Sequence, residues 1–206
     1  MITSYESLSM GKYQEIDRIS RAGGDELEVQ VAILSIITGK TEAELLRLPI
    51  AKYTEIAGKS EFLRRPLDTI PDVKARYKVG KWKLVPCRDY RKLTAGQYID
   101  FQAFTKDALD FCGLLSVLLV PAGMKYADGY DPTDVRAAIA EHLMMPDGMA
   151  LIAFFLRQYG ILMRASLTYC ENALRRVKDK RMKAQMQERI DHTRSLLNLA
   201  GAGLRI

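Results

Sequence analysis

The chain is 206 residues long, 48% hydrophobic, 27% charged and 8% aromatic, with a formal net charge of +6. That length and apolar content suffice for a buried core and exclude global disorder, and 14 Gly with 7 Pro exclude a fibrous or low-complexity chain. Three cysteines (Cys87, Cys112 and Cys170), widely spaced and without a C-x-x-C pair, argue against a disulfide framework or zinc module and for reduced thiols in a soluble intracellular protein.

Met1 to Glu6 lacks a basic region followed by an apolar one, so no signal peptide is expected. Ser9 is placed to cap a helix to about Arg21, with Tyr13, Ile16 and Ile19 on one face. Gly23-Gly24 breaks it. A second helix runs from Asp25 to about Thr38, with Leu27, Val31, Leu34 and Ile37 or Thr38 on its core face and Gly39 as its stop. Thr41-Glu42-Ala43-Glu44 spells a capping box for a short helix to Leu48, and Pro49 suits the first turn of the next helix, to about Ser60. Pro66 and Pro71 mark an extended linker. Tyr77 to Val85, flanking Gly80-Lys81, reads as a tight hairpin that Pro86 should end.

Thr94 to Gln97 is a second capping box, opening a helix to about Lys106 with Tyr98, Phe101 and Phe104 on one face. Asp107 or Asp110 begins an apolar helix to Val120, and Pro121 to Asp131 reads as a loop. Asp131-Pro132 opens a helix to about Met144, and Pro146-Asp147 starts the longest helical pattern. There, Met163, Leu167, Cys170, Leu174 and Val177 form one stripe, while Met182, Met186, Ile190 and Leu197 form another with shifted phase. The apolar runs at 111–120 and 149–156 fall short of the roughly 20 residues that a membrane helix needs. The expected fold is mainly α, a multi-helix bundle with one small antiparallel β-hairpin near residues 76–86. Its expected parts are an N-terminal helical subdomain (1–65), a linker with the hairpin (66–93), and a C-terminal helical subdomain with a basic terminal helix (94–206).

No chemistry-bearing motif assembles. Thr38-Gly39-Lys40-Thr41 resembles the end of a phosphate loop, but Leu34 stands where its first Gly belongs, and a helix precedes it. Asp128, Asp131 and Asp134 lack calcium-loop spacing, and His142 and His192 have no second histidine at ligand distance. Cys87 beside Arg88 reads as a quiet structural thiol, and Glu42 and Glu44 have capping roles. No catalytic residue, cofactor or metal is expected. What stands out is charge: between 175 and 189, seven cations (Arg175, Arg176, Lys178, Lys180, Arg181, Lys183 and Arg189) face two acids, so this window carries +5 and the rest reads as nearly balanced. The window is a candidate contact for a polyanion or an acidic partner, though it has no aromatic residue for base stacking.

The order of motifs resembles a known group. The runs Leu8 to Ile16, Val31 to Gly39, Glu44-Leu45-Leu46 and Leu48-Pro49-Ile50 come first. The hairpin follows, then Leu93 to Asp100, Leu118 to Gly123, Lys125-Tyr126 and Ala153 to Leu156. Over about residues 8–165 the chain is similar to baseplate-hub and tail-assembly proteins of contractile-tailed phages, in the manner of tail-assembly chaperones. The resemblance implies a non-enzymatic morphogenesis or virion protein that binds tail, baseplate or neck subunits through apolar helix faces. It would work in the host cytoplasm during assembly or stay in the particle. Self-association into a homo-oligomer is a further expectation, and a membrane partner is not. Nucleic-acid binding by the basic window 175–189, which lies outside the resemblance, is the alternative.

Overall fold

The computed structural model describes residues 1–67, 69–104 and 110–174, together with Lys183 and Gln187. Among them are eight α-helices and one three-stranded antiparallel sheet, so the fold is mainly helical, as the periodicity predicts. The helices are α1 (Met10–Ala22), α2 (Glu26–Thr38), α3 (Glu42–Leu46), α4 (Ile50–Gly58), α5 (Ala95–Phe104), α6 (Phe111–Leu118), α7 (Pro132–His142) and α8 (Met145–Leu174). The strands are β1 (Tyr77–Val79), β2 (Trp82–Pro86) and β3 (Leu119–Pro121). The chain forms two compact units, one of residues 1–87 and 93–151, the other of 88–92 and the chain from Ile152 onward.

In the first unit, α1, α6 and α7 pack together over Leu8, Met10, Leu115, Leu118, Val135 and Ile139, all fully buried. The approach of α1 to α7 is close enough that a Cβ on Gly11 would lie 2.7 Å from the Ala140 carbonyl oxygen. The chain entering α1 also pairs with the chain entering α8: Met10 N–H donates to Leu143 O (2.7 Å) and Met145 N–H to Leu8 O (2.8 Å). A second cluster joins Val31 and Leu34 of α2 to Leu45 of α3 and Ile56 of α4.

The hairpin pairs Tyr77 with Leu84, Lys78 with Lys83 and Val79 with Trp82. One element departs from expectation. Residues 111–120 read as a single helix, yet α6 stops at Leu118 and β3 follows, pairing Leu84 with Pro121, Val85 with Val120 and Pro86 with Leu119. Pro121 disfavours helical backbone at Val120, and β2 offers an edge whose backbone groups need partners. Cys87 N–H donates to Leu118 O and Ala122 N–H to Lys83 O, each at 2.8 Å, so pairing continues one step past Pro86.

In the second unit, the described residues are few. Tyr90 donates its hydroxyl to Phe155 O (2.9 Å), and its ring meets Tyr159 edge-on at 6.3 Å. No helix among the described residues is long and apolar enough to cross a membrane.

Candidate functional site

An open apolar groove lies between α1, α2 and α3. Gly23 and Gly24 turn the chain at φ of 70° and 138°, conformations that side chains resist, and leave the mouth of this groove without side chains. Asp25 then starts α2: its Oδ1 accepts from Leu27 N–H (2.9 Å) and Glu28 N–H (3.3 Å). The expected capping box starts α3. Glu44 Oε2 accepts from Thr41 N–H (2.7 Å) and from the Thr41 hydroxyl (2.8 Å), while Thr41 Oγ1 accepts from Glu44 N–H (3.2 Å). The backbone N–H and hydroxyl of Thr41 hold the Glu44 carboxyl below its ordinary value.

With both helix starts fixed, the walls enclose a groove of about 530 Å³ floored by Ile19, Leu27, Val31, Ala32 and Leu46. Leu27 belongs to the face expected in the core, yet it is 54% exposed, and Leu46 is 63% exposed. The buried stretch of that face begins one turn later, at Val31. The only charged side chains among those lining the groove are Glu28 and Glu42. Among the described residues, none that lines it carries a hydroxyl, thiol or imidazole. An apolar floor with an acidic rim suits an amphipathic segment carrying cations beside its apolar face.

The first turn of α6 is the opposite kind of place. Asp110 is buried and accepts from Gly113 N–H (2.9 Å), Gln14 accepts from Cys112 N–H (2.9 Å), and Arg136 pairs with Asp110 at 3.0 Å. A Cβ on Gly113 would collide with Asp110 and Phe104, so no side chain fits there. Burial, with the Asp110 charge adding to it, pushes the Cys112 thiol up to about 12. That thiol is no nucleophile near neutral pH.

Of the basic residues singled out by sequence, Arg175, Arg176, Lys178, Lys180, Arg181 and Arg189 lie outside the described residues, as do Val177, Met182 and His192. Lys183 is described and is exposed and helical. Among the described residues no group of three His, Cys, Asp or Glu could hold a metal ion. Asp131 is a helix cap, accepting from Thr133 N–H at 2.8 Å. Gly39 stops α2 with left-handed backbone.

Sequence reasoning missed a second basic region. Residues 73–87 hold five cations (Lys74, Arg76, Lys78, Lys81 and Lys83) and no acid, so this window also carries +5. The remainder of the chain, outside both windows, is therefore at −4 rather than nearly balanced. A charge count over every window of that length would have found it. All five side chains are exposed on and beside the β1–β2 hairpin, and Lys74 is paired with Asp147 at 2.8 Å. No family model, curated protein or solved structure matches the chain.

Proposed function

We propose that the chain is a non-enzymatic tailed-phage morphogenesis or virion protein that binds a tail, baseplate or neck subunit through an apolar helix face. The observation that carries this reading is the α1–α2–α3 groove, with Leu27 and Leu46 exposed over an apolar floor. The motif order from Leu8 to Leu156 supports the phage assignment. Covering the exposed half or so of each leucine on binding contributes about 1–2 kcal/mol before the cost of association. Glu28 and Glu42 favour a helix whose apolar face is flanked by Lys or Arg.

The test is affinity purification of the tagged chain from infected cells, with mass spectrometry of what it retains. Wild type should retain a tail, baseplate or neck subunit, and L27D/L46D should lose it while remaining folded. Recovery of none of these subunits by wild type sinks the reading. Mass spectrometry of purified particles then separates a permanent component, present in fixed copy number, from an assembly factor that leaves.

A further inference from the structure

We infer that the β1–β2 hairpin is a contact surface for the phosphate backbone of duplex nucleic acid. The assignment starts from an unfavourable pairing. Lys78 and Lys83 are direct cross-strand partners, and both are exposed. Opposed residues of this kind place their Cβ atoms about 4.5–5.5 Å apart, and like charges there destabilise the sheet. Arg76 and Lys81, also exposed, extend the same charge, and no acidic residue lies between 73 and 87 to offset it.

Protection of a sheet edge explains only half of this. A lysine on an edge strand deters pairing with another chain, and β1 is an edge. Lys83, however, sits on β2, the central strand, where no edge needs protecting. A repulsion kept in the middle of a sheet calls for an anion that relieves it.

The anion's class follows from what surrounds the charge. Protein–protein interfaces are depleted of lysine, whereas nucleic-acid interfaces are strongly cationic. The exposed residues of 74–83 are Lys, Arg, Ala and Gly, with no large apolar side chain for a protein partner to bury. Nor is an aromatic face presented for base stacking: Lys81 Nζ lies 4.9 Å from the Trp82 ring centre, and Tyr130 lies 6.0 Å from it. That disfavours single strands and leaves the duplex backbone, read by charge alone. The platform is firmly seated. Tyr77, Val79 and Leu84 are buried beneath it, and the turn at Gly80 presses on His142.

The test uses the full-length chain, a labelled 30-base-pair DNA duplex of mixed sequence, and fluorescence anisotropy at graded salt. To remove the other basic window, the reference is the variant R175E/R176E/K180E/R181E. It should still bind, and adding K78E/K83E should weaken binding about tenfold or more at low salt and flatten the salt slope by about two. K83E alone replaces a like-charge pair by an opposite one, so it should raise the melting temperature by about 1–4 °C while weakening binding. That split separates loss of a contact from loss of the fold. Reversing Lys12 and Arg47, exposed elsewhere on the first unit, should leave affinity within about twofold. The inference is overturned if the reference variant does not bind, if K78E/K83E changes neither affinity nor slope, or if Lys12 and Arg47 matter equally. Competition by poly-glutamate as strong as by the duplex would overturn it in favour of an acidic protein surface.

Discussion

At the groove, α2 and α3 start on caps that stand in water; at the sheet, α6, the helix that runs into β3, starts on a cap that stands in the core. Asp25 and Asp110 do the same chemical task, each accepting a backbone N–H from the first turn of its helix. Asp25 is exposed, while Asp110 is buried and has Arg136 for a partner. Depth decides what each is worth. A cap in water competes with solvent for the same N–H groups, so its removal lets water replace it. A cap in the core has no such substitute. The sheet region is therefore held by polar groups that cannot be lost cheaply, and the groove region by groups that can.

The largest effect should come from Asp110→Ala. The change removes the cap and the partner of Arg136. The Arg136 side chain is 42% exposed, so the uncovered cation can reach water, which holds the cost to about 2–4 kcal/mol. Urea denaturation of the full chain measures it, and Asp110→Asn should recover part of the cap. If Asp110→Ala costs no more than Asp25→Ala, the contrast in depth is wrong.

Next comes Gly80→Ala, which attacks the hairpin from its turn. Gly80 has φ of 54°, and a Cβ there would lie 2.7 Å from His142 Cδ2. The backbone strain and the collision together should cost about 1–3 kcal/mol. A double-mutant cycle with His142→Ala divides the two. The steric share should vanish in the pair, and the backbone share should remain. Full recovery in the pair would mean that φ carries no penalty. On the groove side, Asp25→Ala should cost about 1 kcal/mol, and Asp25→Ser should restore most of it.

What could be read from sequence follows the same division between local and distant causes. Thr41 with Glu44, Thr94 with Gln97, Asp131 with Pro132 and the stop at Gly39 are all devices completed within four residues, and each stands where its residue types place it. β3 was not legible because Leu119 and Val120 are apolar in either a helix or a strand, and what selects the strand is the edge of β2, far away in the chain. The cationic hairpin is legible in a charge count window by window but hidden in the chain's total, where its +5 is offset by a surrounding −4. The basic arm from Arg175 lies outside the described residues, apart from Lys183 and Gln187. Leu27 marks the limit of periodicity: spacing names the face of a helix, but not how far along it the neighbouring helix reaches.

Leu27 also supplies the smallest expected effect on stability and the sharpest use of the contrast. Leu27 and Val31 lie one turn apart on the same face of α2, with the first 54% exposed and the second 3%. Val31 packs with Leu34, Leu45 and Ile56, so Val31→Ala should cost about 1–3 kcal/mol. Leu27→Ser removes a side chain already more than half in water and should move stability by no more than about 0.5 kcal/mol, measured in the same urea series. The two substitutions should then exchange order in the retention assay: Leu27→Ser should weaken capture of the proposed partner more than Val31→Ala, because Leu27 offers 54% of its surface to the groove and Val31, on the groove floor, only 3%. A leucine that costs nothing to remove from the folded chain, yet costs the partner, has its role outside the fold. If Leu27→Ser destabilises as much as Val31→Ala, the first turn of α2 is core after all and the groove is closed in solution.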